Sequence, residues 1–375
     1  MLQAVVFQQR YLGLCCLRAN TVTFSLISVK RNTLILANVA VIVLNWNRSR
    51  DTLACLTSLL PAMRSTQCTV ICCDNCSSDD SVYQILRWAK IHFDKTCSSA
   101  VARFILLVNQ ANAGYAAGNN AAIRYVLEQA SYDYIWILNN DTIVKPDALS
   151  ELLQYARKNT DLGAIGSTMV DWDNPEKVQC AGGYRYWPIT TIVKPVWAGK
   201  SVTAITVAEL ASAPRLDYIS GAAMLLSVPA IKSVGLLDER FFLYYEEADY
   251  ALRLRQKGWY LGWCRTSVVF HKGGVSTSEP ITRSANNSKI PLAAYHENLS
   301  TLLFTAKHYP HLFILVALFR LLAKIILLIT RRRFSHIKAL FWAYKDFFMI
   351  KNKTLSQQEK PAVKFSGGLG RSISS

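Results

Sequence analysis

Residues 134–149 read YIWILNNDTIVKPDAL, an apolar run of strand length that breaks into two asparagines and an aspartate. β-Branched and aromatic side chains in such a short unbroken run fit a strand buried on both faces. Three earlier stretches end in a similar way: VIVLNWN (41–47), CDNCSSDDS (73–81) and NQANAGYAAGNNAAI (109–123) each bring an apolar run to a close in Asn, Asp or a polar loop. The pattern predicts strands over Val39–Asn45, Thr69–Asp74, Arg103–Val108 and Tyr134–Asn139. Amphipathic, helix-period stretches lie between and after them, near 51–60, 79–92, 117–130 and 147–158. Strands alternating with helices give an α/β class with a parallel sheet covered by helices. Such sheets bind ligands outside the carboxyl ends of their strands, which is where these polar residues fall.

Composition narrows the function classes. The chain has 375 residues, 51% hydrophobic and 18% charged, which excludes disordered and low-complexity classes for its bulk and allows one or two domains. The net charge of +17 is unevenly spread, with 23 basic against 22 acidic residues over 41–281 but 15 against 3 over 282–375. A neutral middle argues against nucleic acid as a partner, and the basic end points to an anionic membrane surface. The ten cysteines lie mostly in apolar runs with no clear secretory signal ahead of them, so they are expected to be reduced and the protein cytosolic. Cys73 and Cys76 form a lone CxxC with no second pair at metal spacing, which disfavours zinc. Residues 1–37 show no clear periodicity and stay unassigned.

The strand ends carry the candidate chemistry. Asp74 and Asn75 can accept from and donate to a base or ribose edge, and Gly114 and Gly118 let backbone approach a ligand before a helix begins. Taken singly, each also fits an ordinary turn. Asp141 supplies the carboxylate that a hard divalent cation needs to bridge two phosphates; capping a loop is the plainer alternative. Glu246, Glu247 and Asp249 crowd three carboxylates at a helix start, where like-charge repulsion can raise one pKa toward that of a general base. A solvated acidic first turn is the plainer alternative. His271, between a strand-like run and two glycines, could complete a metal site with Asp141.

In order and spacing these motifs resemble the family 2 glycosyltransferases, and within them the rhamnosyltransferase-like branch, over roughly residues 38–305. VIVLNWN is similar to the opening strand motif, CDNCSSDDS to D-N-x-S-x-D-x-S, and NAGYAAGNNAAI (112–123) to N-x-G-[FY]-[AS]-x-x-x-N. ILNNDTIVKPDAL (137–149) resembles the L-N-x-D-T form of the metal motif. SGAAMLL (220–226) with GLLDERFFLYYEEADYALRLRQKGW (235–259) resembles the acceptor-side block, and VVFHKGG (268–274) the V-x-H-x-x-G motif. The resemblance implies a GT-A (Rossmann-like) fold, a nucleotide-diphosphate sugar donor, Mg2+ or Mn2+, and inversion at the anomeric carbon. It assigns Asn47, Asp74, Asn75, Asn112, Gly114, Asn120 and Asn140 to the donor, Asp141 and His271 to the metal, and Glu247 to the base, with Asp249 as fallback. Two departures are that Asn139 replaces the first aspartate of D-x-D and Glu247 the aspartate that serves the family as base. They leave open a non-catalytic sugar-nucleotide-binding protein. Rhamnose leads as donor sugar, with galactose, N-acetylglucosamine and mannose as alternatives. The acceptor is expected to be a glycan or polyprenyl-linked sugar in cell-surface polysaccharide assembly.

Gln84, Arg87 and Trp88 spell the Q-x-x-R-W of processive synthases, but they precede Asp141 instead of following the base, and chance accounts for them better. Residues 306–352 read as a basic amphipathic helical region and 353–375 as a flexible tail. Within 311–330, Arg320 and Lys324 make spanning a bilayer marginal. With Arg331, Lys338 and Lys345 they fall on one face of a continuing helix, which predicts a peripheral, charge-driven hold on the cytoplasmic side of a membrane. A helix capping the catalytic domain is the alternative.

Overall fold

The computed structural model describes residues 21–27, 37–66, 68–93, 100–129, 132–201, 215–273, 280–283 and 288–358. The unassigned start of the chain lies mostly, and the end beyond 358 wholly, outside them.

The first half alternates strand and helix: β1 (Thr21–Ile27), β2 (Val39–Asn45), α1 (Ser49–Ser65), β3 (Cys68–Asp74), α2 (Ser81–Phe93), β4 (Ala100–Val108), α3 (Gly114–Glu128) and β5 (Tyr134–Asn139). Then come β6 (Thr142–Val144), α4 (Ala148–Lys158), β7 (Leu162–Asp171), β8 (Val178–Ala181), β9 (Gly183–Trp187), β10 (Ile192–Pro195), β11 (Tyr218–Ile219) and β12 (Ala223–Ser227). The chain continues through α5 (Val228–Val234), α6 (Glu246–Gln256), β13 (Tyr260–His271), α7 (Leu292–His308), α8 (Phe313–Thr330) and α9 (Phe334–Gln358). The four strands expected from the sequence form, β3 and β4 each starting slightly earlier.

The main sheet runs β1-β4-β3-β2-β5-β12-β7-β13-β6, with β8 added to β7. β4, β3, β2 and β5 are parallel neighbours, whereas β12 lies antiparallel between β5 and β7. Both faces are buried, and period-2 alternation divides each strand between them. Val39, Val41 and Val43 pack with Leu56, Met63, Trp136 and Leu152 on the side of α1, α2 and α4. Ala40 and Ile42 pack with Ile123, Ile137, Ile231 and Leu254 on the side of α3, α5 and α6. Because β2 has β3 on one side and β5 on the other, successive crossovers leave in opposite directions there. The resulting crevice opens at the carboxyl ends of β2 and β5.

The cysteines follow the expectation where they are described: Cys55, Cys68, Cys72, Cys73, Cys180 and Cys264 are buried free thiols and Cys76 is exposed. Burial pushes Cys55, Cys68 and Cys180 up to about 12, out of reach of thiolate chemistry.

The C-terminal region departs from the continuing helix expected with its cations on one face. A turn at Arg331–Arg333, with Arg332 in left-handed backbone (φ 53°), separates α8 from α9. Arg320 and Lys324 point inward, because Glu297 on α7 accepts from both, at 2.9 and 2.8 Å. The outward face of α8 is apolar instead.

Candidate active site

A cleft of about 250 Å³ lies at that crevice. Leu44 and Trp46 line it from the end of β2, Asn75 from the end of β3, Asn139, Asn140 and Asp141 from the end of β5, and Asn112, Gly114 and Tyr115 from the start of α3. Gly221, Phe242, Tyr244, Glu246, Glu247 and His271 also line it. A larger hollow of about 930 Å³ beside Trp197, Trp259 and Trp263 lies away from all of these residues.

Strand register places the metal candidates. β6 folds back antiparallel to β13 with His271 opposite Thr142, so His271 meets the residue before Thr142, which is Asp141. The Lys272 N–H donates to the Asp141 carbonyl at 3.1 Å, fixing that approach. His271 Nε2 stands 3.3 Å from Asp141 Oδ1. On its other side His271 Nδ1 is 2.7 Å from Gln179 Oε1. An Nδ1–H donated to that oxygen leaves the Nε2 lone pair facing the carboxylate. Asp141 Oδ1 is buried and accepts no hydrogen bond, so two electron-rich atoms face one another.

That arrangement fits a divalent cation. Adjacent ligands on an octahedral ion with bonds of about 2.1 Å are separated by about 3 Å. Among the described residues no group of three His, Cys, Asp or Glu gathers to hold a metal, so further ligands would come from a substrate or water.

The acidic block reaches the cleft through strained backbone. Tyr244 and Tyr245 both adopt positive φ, 69° and 71°, immediately before α6, and so deliver Glu246 and Glu247 in its first turn. Burial pushes the Glu247 carboxyl up to about 7, although the N–H groups of Glu247 and Gly221 pull it down. Burial, then the charge of Glu247, raises Glu246 far above the usual carboxylate range. Glu246 Oε2 and Glu247 Oε2, like Asp141 Oδ1, are buried without a hydrogen-bond partner.

Asp249 faces elsewhere. It is fully buried, bonded to Arg253 Nε at 2.7 Å, to His308 Nε2 at 2.7 Å and to Lys307. Burial alone would raise its pKa, but the hydrogen bonds from His308 and Lys307 and the charge of Arg253 outweigh it and hold the carboxyl low.

The donor candidates divide into two groups. Asn75, Asn112, Gly114 and Asn140 line the cleft. Asn75 Nδ2 donates to Asn112 Oδ1 at 2.8 Å, and Asn140 Nδ2 to Thr52 Oγ1 at 3.0 Å. Gly114 has φ 94°, and a Cβ there would lie 2.3 Å from the Phe242 carbonyl oxygen, so only glycine fits. Asp74, Asn47 and Asn120 brace these walls without lining them. Asp74 accepts from Asn45 Nδ2 and from Ser77, Asn47 Oδ1 accepts from the Ser78 N–H, and Asn120 is tied through both side-chain atoms to the Leu237 backbone. Trp46, Tyr115 and Phe242 were not singled out from sequence; all three sit inside the quoted motifs, and their aromatic rings were the available signal.

Residues 40–198 match the sequence model of glycosyl transferase family 2. The fold of the chain is α/β with a mixed sheet, the class expected from the sequence. The chain is 28% identical over 232 residues to the N-acetylglucosaminyl-diphospho-decaprenol L-rhamnosyltransferase of Mycobacterium tuberculosis, covering 58% of this chain and 72% of that protein. It is 25% identical over 162 residues to the low-salt glycan biosynthesis hexosyltransferase Agl10 of Haloferax volcanii, covering 43% and 49%. The rhamnosyltransferase WbbL of Escherichia coli is 26% identical over 148 residues, covering 39% and 55%. The chain thus spans about half the length of two of these relatives. A mannosyltransferase of Pyrobaculum calidifontis, solved with GDP-Man and Mn2+, overlaps 86% of this chain and 81% of its own at 14% identity and a TM-score of 0.49.

Proposed function

We propose that the protein is an inverting glycosyltransferase that moves a sugar, rhamnose first among the candidates, from a nucleotide-diphosphate donor to a glycan or polyprenyl-linked acceptor. The work is done on the cytoplasmic face of a membrane, in building a cell-surface polysaccharide. The observation that carries this reading is the set of three unpartnered carboxylate oxygens, from Asp141, Glu246 and Glu247, in one cleft at the carboxyl ends of the sheet. The match to the family 2 sequence model and the two rhamnosyltransferases among the relatives support it.

Each residue then has a task. Asn75, Asn112 and Asn140 hold the nucleotide and diphosphate, and Gly114 lets the ligand lie against backbone. Asp141 and His271 hold Mg2+ or Mn2+, which neutralises the charge that builds on a departing diphosphate. Glu247 takes the proton of the attacking acceptor hydroxyl, and a pKa of about 7 suits a group that must be free to accept it and then release it. Glu246, its pKa raised by burial and by Glu247, favours the protonated form beside it, which spares the cleft a third negative charge. Asp249 anchors α6 through Arg253, Lys307 and His308, which favours Glu247 over it as the base.

The test is a panel of nucleotide sugars carrying rhamnose, galactose, N-acetylglucosamine or mannose. Release of nucleoside diphosphate that depends on acceptor and on Mg2+ or Mn2+ is expected with one of them. Binding of a donor with neither transfer nor hydrolysis would instead make the protein a sugar-nucleotide binder.

A further inference from the structure

The helix α8 has its polarity reversed relative to an ordinary surface helix. Ile314, Leu315, Leu318, Phe319, Leu322, Ala323, Ile326 and Leu327 recur at i, i+1, i+4 and i+5, and all eight are exposed and apolar. Ile314 is 72% exposed, Leu322 62% and Ile326 64%. The buried side holds a charge: Arg320, 6% exposed, donates to Thr191 Oγ1 at 2.7 Å, Glu297 Oε1 at 2.9 Å and Asn298 Oδ1 at 3.2 Å. A continuous apolar face of this extent marks a surface that meets something other than water.

We infer that α8 lies flat on a phospholipid leaflet, with this stripe in the acyl region and the basic turn at its end among anionic headgroups. The inference rests on the membrane location proposed above and replaces its physical basis, charge, with apolar insertion. Three observations select this mode.

First, α8 with the turn before it is long and apolar enough to cross a bilayer, but Arg320 sits near its middle. Crossing would carry Thr191, Glu297 and Asn298 of the catalytic body into the hydrocarbon, or leave the guanidinium there without partners. Lying in the interface keeps that cluster intact.

Second, the stripe runs into Arg331, Arg332 and Arg333, all exposed. Beyond them Phe334, Lys338, Phe341, Lys345 and Phe348 recur at steps of four and three along the exposed face of α9. Alternating aromatic and basic side chains suit the headgroup layer, where rings sit amphipathically and cations meet lipid phosphate.

Third, the same surface has no carboxylate to offer a second copy of itself. Asp346, the one acidic residue among the described residues of α8 and α9, is buried and accepts from Tyr295. Lipid phosphate is the complementary charge.

The test uses the full chain, floated with vesicles of neutral phosphatidylcholine and with vesicles containing anionic phosphatidylglycerol, at low and high salt. The expected result is binding strengthened by the anionic lipid yet largely kept in high salt. Changing Leu318→Ser together with Leu322→Ser, at exposed positions, should weaken partitioning by about tenfold or more without changing the circular dichroism spectrum. No binding by the unchanged protein would overturn both the membrane location and the insertion. Binding that high salt releases and the double substitution ignores would overturn insertion and leave a charge-driven location standing. Resistance to alkaline carbonate would mean that the helix spans. A dimer in solution that the double substitution converts to a monomer, with no vesicle binding, would make a second copy the occupant.

Discussion

Asp141 Oδ1 and His271 Nε2 stand 3.3 Å apart across the mouth of the cleft, and Asp141 Oδ1 accepts no hydrogen bond. A buried carboxylate oxygen left so is costly unless a cation or proton joins it. Asp141→Ala is therefore expected to abolish the part of nucleoside diphosphate binding that depends on Mn2+, read by titration calorimetry with and without the metal. Undiminished metal-dependent binding would remove Asp141 from this role.

Gln179 fixes the His271 ring from behind, at 2.7 Å from Nδ1. Gln179→Leu removes that acceptor without touching the cleft, and should weaken Mn2+ binding about 10–100-fold. Unchanged affinity would show that the ring is oriented by other contacts.

The Glu247 carboxyl, pushed up to about 7 by burial, gives two pH signatures. Its basic form appears as pH rises through 7, so turnover should climb over that range. The fold binds its proton more tightly than the unfolded chain does, so this group favours folding below the ordinary glutamate pKa of about 4.3 and loses that contribution as pH rises through 7. Glu247→Gln should therefore gain thermal stability over the native protein at pH 8 and little at pH 4.5. Equal melting shifts at both pH values would place Glu247 in water.

Asp249 should behave in the opposite way. Its carboxyl, held low by His308, Lys307 and Arg253, stabilises the fold above the ordinary aspartate pKa and loses this as pH falls through its own lower value. Asp249→Asn leaves Arg253 and Lys307 without their shared partner and should cost on the order of 3 kcal/mol, read by denaturant unfolding. Donor binding by the folded fraction should persist. A stable variant that has lost only turnover would return the base to Asp249.

Gly114→Ala tests the packing of the cleft. The added Cβ meets the Phe242 carbonyl oxygen at 2.3 Å, and φ 94° is strained for any other residue. A loss of about 2–4 kcal/mol is expected, together with weaker donor binding. A neutral effect on both would show that the two loops part without cost.

The parallel strands were legible because four short apolar runs with polar ends recur at regular intervals, and β2 and β5 form with the boundaries read from them. That β12 inserts antiparallel between β5 and β7 was not, since pairing partners leave no local trace in Ala223–Ser227. The site was legible as a set of motifs but not as walls. Asn120 reads like a ligand residue yet spends its amide on the Leu237 backbone, and Asp74 spends its carboxylate on Asn45 and Ser77. Periodicity placed the basic residues of the C-terminal region on one helical face but could not say which way that face turns. Glu297 decides it, by drawing Arg320 and Lys324 inward from a separate helix.

The central claim, transfer with Glu247 as the base, is tested most directly by the turnover and donor affinity of Glu247→Gln with the best donor of the panel, acceptor and Mn2+ present. The amide keeps the shape of the side chain and removes its basicity. The account predicts a fall in turnover of about 10²–10⁴ with donor affinity nearly unchanged. Native turnover in that variant, or an equal loss of donor binding, would contradict it.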